Sequence, residues 1–174
     1  MTCIVAIAEN GHVYMGGERG NSDTSCIVSS TRPKVFEVGQ YLIGYAGNSG
    51  IGQAICYNFT PPILKSSQID KHMIQAFIPA LRSFIKDSEI DLPDKDEDHA
   101  DLLVGIKGCI YEISTNDFQC VEYNEVATGS GMPYALGSLY TSKTLPTKER
   151  VHMAIESAIT YSPTCQGPID ILYK

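Results

Sequence analysis

The chain opens on an unbroken apolar run over residues 2–8, with polar positions only behind it at Glu9 and Asn10. A short continuous run ended by Asn10-Gly11 reads as a strand buried on both faces and closed by a tight turn. Residues 12–17 return as its partner. Residues 25–30, 34–38 and 41–46 follow as strands, the last two joined at Gly39-Gln40. Gly47-Asn48-Ser49-Gly50 then breaks the sheet. The period changes in the middle of the chain. Ile69, Met73, Ile74, Phe77, Ile78, Leu81, Phe84 and Ile85 recur at three and four, an amphipathic helix. Ser67-Gln68-Ile69-Asp70 resembles a capping box with Asp in place of Glu, and Pro79 predicts a kink.

Strands resume at 101–106, 109–114 and 118–123, separated by Lys107-Gly108 and Asn116-Asp117. Residues 126–128 lead into Gly129-Ser130-Gly131. Helices are expected over 133–141 and 147–161, the second with Val151, Ala154, Ile155, Ala158 and Ile159 on its buried face. Residues 168–173 close the chain as a strand. Blocks of hairpin-linked strands and blocks of helices predict an α+β fold, with two stacked antiparallel sheets between two helical layers.

Composition narrows the function classes. The 174 residues suit one domain with a sizeable core, and the hydrophobic (43%) and charged (19%) fractions are those of a soluble globular protein. A net charge of -7 argues against a nucleic-acid partner. No apolar run reaches the roughly 18 residues of a membrane span, and no signal-peptide pattern precedes Glu9. The cysteines at 3, 26, 56, 109, 120 and 165 include no C-x-x-C pair, which disfavours zinc and suits a reduced, cytoplasmic setting. Asn58-Phe59-Thr60 matches a glycosylation sequon without a secretory route to use it. Asp94-Lys95-Asp96-Glu97-Asp98 hints at a calcium loop, but lacks the glycine and the twelfth-position glutamate such a loop needs. It reads instead as part of a solvated acidic stretch over 87–98. No cofactor is expected.

The candidate chemistry lies at the start. Removal of Met1 would leave Thr2 with a free α-amine at the edge of a buried strand. An α-amine titrates at about 8, so one residue would then carry both a hydroxyl nucleophile and a base. Thr2 can equally be an ordinary second residue, and Lys34, Ser130 and Gly47 can be a surface lysine, a turn serine and a turn glycine.

In combination these motifs resemble proteasome β-type subunits, most of all the HslV type, over essentially the full length. Thr2-Cys3-Ile4-Val5-Ala6 is similar to the family's mature N-terminus. Gly16-Gly17-Glu18 falls where the family has a small pair followed by aspartate. Arg32-Pro33-Lys34-Val35 resembles its lysine-bearing strand, and Ile43-Gly44-Tyr45-Ala46-Gly47 its glycine-terminated strand. Ala127-Thr128-Gly129-Ser130-Gly131 with Tyr134-Ala135-Leu136, and Gly167-Pro168-Ile169-Asp170, complete the order.

The resemblance implies a four-layer αββα sandwich of the N-terminal nucleophile hydrolases, spanning residues 1–174. It implies a threonine endopeptidase: Thr2 as nucleophile, its amine as base, Lys34 lowering the amine's pKa and Glu18 orienting Lys34. Ser130 would shuttle the amine's proton and the Gly47 N–H would serve as oxyanion donor. It further implies stacked homo-oligomeric rings, six- or seven-fold, acting on unfolded polypeptides fed by an ATP-dependent unfoldase; the chain itself has no P-loop. Tyr45 and Arg32 are candidates for specificity. Two departures stand out. Glu18 replaces an aspartate, and Ser162 and Cys165 fall where the proteasome branch has an aspartate and a serine. They keep open a catalytically silent ring protein. A small-molecule amidase, and Cys3 as nucleophile should Thr2 also be lost, are the further alternatives.

Overall fold

The computed structural model describes residues 2–22, 25–88 and 99–174. Its centre is two antiparallel sheets. The first has the order β10-β1-β2-β11, from β1 (Ile4–Glu9), β2 (His12–Glu18), β10 (Glu125–Thr128) and β11 (Ile169–Tyr173). The second runs β5-β6-β7-β8-β9, from β5 (Val35–Val38), β6 (Tyr41–Gly47), β7 (Ala100–Ile106), β8 (Cys109–Ser114) and β9 (Cys120–Tyr123). A short ribbon of β3 (Gly20–Ser22) and β4 (Ile27–Ser29) extends beside them. Helices α4 (Met132–Thr141) and α5 (Thr147–Tyr161) cover the first sheet. Helix α1 (Ser49–Asn58), helix α2 (Ile69–His72), a π-helical turn (Met73–Phe77) and helix α3 (Ile78–Asp87) cover the second.

Three apolar seams correspond to the three interfaces between four layers. Strand β1 shows how a continuous run serves two of them. Cys3, Val5 and Ile7 pack on Leu139, Val151 and Ile155 of the helices. Ile4 and Ala6 face the other way, onto Met15, Leu42 and Leu103 between the sheets. Strands β6 and β7 divide likewise, with Ile43, Tyr45, Leu102 and Val104 turned toward Met73, Phe77 and Leu81. Alternation along a strand sends successive side chains to opposite faces, so only a strand enclosed on both faces reads as an unbroken apolar run. Each Val, Leu, Ile, Phe or Met among them contributes about 1.5–3 kcal/mol on leaving water. The expected αββα sandwich is therefore the observed one.

Local differences have physical causes. The chain does break from the sheet after Gly47, but straight into α1, which the sequence reading missed. Asn48 caps it, its side-chain oxygen accepting from the N–H groups of Gly50 (2.8 Å) and Ile51 (3.2 Å). The box at 67–70 does not form. Gln68 is the N-cap and makes no side-chain cap bond, while the Asp70 carboxylate accepts from the Tyr111 hydroxyl at 2.5 Å. Pro79 lies in the first turn of α3, and the π turn before it accommodates the missing donor through an Ile78 N–H bond back to the Met73 carbonyl. That wider turn keeps Met73, Phe77 and Ile78 inside and leaves Ile74 exposed. Strand β9 starts at Cys120 rather than 118, because Phe118 adopts φ 60° in the turn. The Asp94–Asp98 run lies outside the described residues.

Candidate active site

The site gathers where β1, β2, the segment entering β5, the end of β6 and the turn after β10 meet. Thr2 lies two residues ahead of the start of β1 at Ile4 and is 3% exposed. The Gly129-Ser130-Gly131 turn holds both sides of its backbone. Thr2 N–H donates to Ser130 Oγ over 3.2 Å, and Gly131 N–H donates to the Thr2 carbonyl over 3.1 Å. Gly129 makes the approach feasible: it has φ 88°, and a Cβ there would stand 2.3 Å from the Thr2 carbonyl oxygen.

Lys34 reaches the same point from the other sheet. Its Nζ donates to Thr2 Oγ1 over 2.9 Å, to Glu18 Oε1 over 2.8 Å, and to the Gly20 carbonyl. The nucleophile candidate, the ammonium and the carboxylate thus form one buried chain. Glu18, at the end of β2, is fully enclosed. Besides Lys34 it accepts from the backbone N–H of Cys3 (3.2 Å), Gly20 (2.5 Å) and Gln166 (3.1 Å). The longer side chain therefore meets Lys34 at ion-pair distance, and the same carboxylate ties β1, β3 and the loop before β11 together.

Gly47 lines a cavity of about 320 Å³ together with Thr2, Asn21, Ser22, Lys34, Tyr45, Asn48 and Ser49. The fold itself requires glycine at this position: its φ is 88°, and a Cβ would lie 2.4 Å from the carbonyl oxygen of His99, just ahead of β7. A smaller recess adjoins it, lined by Arg32, Tyr45, Ser49 and Gln53, with Arg32 Nη1 donating to Gln53 Oε1 over 3.0 Å. Of the two specificity candidates, Tyr45 lines the Thr2 cavity itself and Arg32 the adjoining recess.

Cys3 stands on the opposite face of β1 from the cavity, packed among α4 and α5. Burial, and secondarily Cys165 and Glu18, push its thiol far above the ordinary range. Ser162 is buried and its Oγ lies 2.9 Å from Thr164 Oγ1, which lies 2.8 Å from Ser130 Oγ. Gly20, Gln166 and Thr164 were not singled out from sequence. The first two act through backbone groups, and nothing in the local pattern marks Thr164. Met1 lies outside the described residues. Among the described residues no group of His, Cys, Asp or Glu is arranged to hold a metal ion, and no helix is long and apolar enough to cross a membrane.

The four-layer sandwich thus brings a threonine, a lysine and a carboxylate together just ahead of its first strand. No protein-family model matches the chain, and no curated protein does. Solved structures do match. Thiobacillus denitrificans BPH is 18% identical with a TM-score of 0.80, covering 99% of this chain and 97% of that one. BPH in complex with epoxomicin gives 16% and 0.78, with 99% and 98% covered. Eukaryotic HslV from Trypanosoma brucei gives 16% and 0.71, again with 99% and 98% covered. The chain has the HslV-like, proteasome β-type fold.

Proposed function

We propose that this chain is a threonine endopeptidase subunit, one domain spanning residues 1–174, of a self-compartmentalised HslV- or proteasome-like ring. The observation that carries the reading is the 2.9 Å contact between Lys34 Nζ and Thr2 Oγ1 in a buried site at the head of β1. Loss of Met1 makes the Thr2 nitrogen a primary amine. The Lys34 cation beside it disfavours the ammonium form and brings its pKa from about 8 toward neutrality. Thr2 Oγ attacks the scissile carbonyl while its proton passes to the amine, directly or through a water. Lys34 stabilises the developing oxygen charge. The Gly47 N–H receives the carbonyl oxygen as it becomes an oxyanion. The resulting ammonium protonates the departing amine, and a water molecule then hydrolyses the ester on Thr2 by the reverse sequence.

Under this reading identical subunits stack as rings in the cytoplasm, and an ATP-dependent unfoldase delivers unfolded polypeptide. The experiment is peptide hydrolysis by purified Met1-free protein, beside Thr2→Ala, with intact mass recorded. The reading expects a mass lower by one methionine and release of a fluorogenic peptide that Thr2→Ala abolishes. Epoxomicin, present in the BPH complex, is the matching probe and should add to Thr2-bearing protein only. Equal release by both proteins rejects the enzyme.

A second reading, a ring subunit without catalysis, is favoured by Ser162, which offers a neutral hydroxyl where the proteasome branch has a carboxylate. It expects Met1 to be retained and no peptide release.

A further inference from the structure

Ser130 Oγ has one proton and several partners. Thr2 N–H donates to it over 3.2 Å, so toward residue 2 this oxygen is an acceptor. Its own proton has two oxygens in reach: the Thr2 carbonyl at 3.4 Å and Thr164 Oγ1 at 2.8 Å. The shorter distance is the normal one for a hydroxyl pair, and the longer is outside that range. Thr164 can accept because its own proton has an acceptor on the far side, where Ser162 Oγ lies 2.9 Å away. The Thr164 backbone N–H fixes the same Ser162 oxygen over 3.4 Å. The result is a row running from the Thr2 N–H through the hydroxyls of Ser130, Thr164 and Ser162.

We propose that Thr164 is a positioning residue for the base: by taking the Ser130 proton, it holds Ser130 Oγ as an acceptor toward the Thr2 amine and leaves the amine's lone pair free. The proposal rests on the function reading above. A neutral amine has two N–H bonds and one lone pair. During attack the Thr2 Oγ–H bond breaks and a third N–H bond forms on that lone pair. Were Ser130 to turn its O–H toward the nitrogen, it would occupy the pair the reaction needs. Thr164 removes that option, with neutral groups only. The row ends on Ser162, where the resemblance would put an aspartate, so hydroxyls do here by hydrogen-bond direction what a carboxylate would do by charge.

The test compares Met1-free wild type with Thr164→Val, Thr164→Ser, Ser130→Ala and the Ser130→Ala/Thr164→Val double variant. Two readouts are used: trace acetic anhydride labelling of the Thr2 amine relative to lysines, by mass spectrometry, and kcat and KM for a fluorogenic peptide. Thr164→Val should slow Thr2 labelling at least threefold and lower kcat with KM unchanged. Thr164→Ser should restore both, and Thr164→Val should add nothing in the Ser130→Ala background. Wild-type labelling in Thr164→Val, failure of Thr164→Ser to rescue, or an additive loss in the double variant overturns the proposal. Thr164→Ala supplies a second hydroxyl-free variant should valine disturb the loop. If Thr2→Ala leaves peptide release intact, the function reading fails while the labelling pattern still decides the role of Thr164. A mass showing Met1 retained overturns both.

Discussion

Glu18 and Lys34 meet at 2.8 Å in the interior, the carboxylate fully enclosed and the lysine side chain 9% exposed. A buried pair is tolerable only when each partner's remaining lone pairs and protons are satisfied. Here they are. Three backbone N–H groups complete the carboxylate, and Thr2 Oγ1 and the Gly20 carbonyl take further ammonium protons. Removing one partner strands the other. Glu18→Gln should therefore cost about 3 kcal/mol of stability, within the 3–5 typical of such breaks. Glu18→Asp keeps the charge but withdraws it by one methylene from Gly20 and Gln166, for about 1.5–3 kcal/mol through bonds to a charged acceptor. Urea melts of the three proteins check this; three coincident midpoints would contradict it.

Stability and chemistry separate in a second pair of variants. Lys34→Met alone leaves the Glu18 carboxylate unpaired and should destabilise strongly. Lys34→Met with Glu18→Gln removes both charges and should recover most of that loss. Peptide hydrolysis should not recover. Without the ammonium, the Thr2 amine stays protonated to higher pH and the nucleophilic oxygen loses its donor, a deficit of about 10²–10⁴-fold, typical of a lost acid–base group. Denaturation and kcat/KM measured on the same samples distinguish the two effects. Recovery of activity with stability would remove Lys34 from the mechanism.

How much of this was open to sequence reading depends on what signal each part leaves. β1 was legible because enclosure on both faces forces an unbroken apolar run, and its hairpin because Asn10 and Gly11 take φ values of 52° and 79°. Helix α5 was legible to the residue, since its stripe is uninterrupted. Helix α1 was hidden by Gly50 and Gly52, poor helix formers. Gly52 is needed because a Cβ would lie 2.3 Å from the Tyr45 ring, a tertiary demand that overrides propensity. Thr2 was singled out by its place behind Met1 at the start of an apolar run, whereas Lys34, Glu18 and Ser130 were picked out through resemblance rather than pattern. The four are 16 to 128 residues apart in sequence, a separation that no local period can encode. Gln166 and Gly20 contribute backbone groups, and backbone groups leave no mark in a sequence.

Gly129 offers a test of how tightly residue 2 is held. Gly129→Ala would put a methyl 2.3 Å from the Thr2 carbonyl oxygen, at a φ that L residues rarely adopt. The strained backbone costs on the order of 1–3 kcal/mol, and a shift of residue 2 by about an ångström can lower the rate a hundredfold. Gly137 in α4 is the control: a Cβ there meets nothing within 4 Å. Gly137→Ala should stabilise by about 0.5–1 kcal/mol and leave hydrolysis unchanged. Similar behaviour of the two variants would contradict the clamp.

The buried acids of the core set the alkaline limit of the fold. Burial pushes the Cys120 thiol up to about 11 and the Tyr41 hydroxyl to about 12, and carries Cys3 and Tyr111 higher still. Each keeps its proton in the folded chain to a higher pH than in the unfolded chain. The stability this represents is whole below the ordinary thiol value of 9.0 and is lost as pH rises through the folded values. The melting temperature should thus be flat from pH 7 to about 8.5 and fall between about 9 and 12, with Cys120→Ala reducing the slope between about 9 and 11. The same physics orders thiol reactivity, because the thiolate is the attacking form. Iodoacetamide at pH 8 should modify exposed Cys26 first and leave Cys3 and Cys165 unreacted in native protein, as peptide mapping can show. Early alkylation of Cys3 would mean that its thiol is not held in the seam beneath α4 and α5.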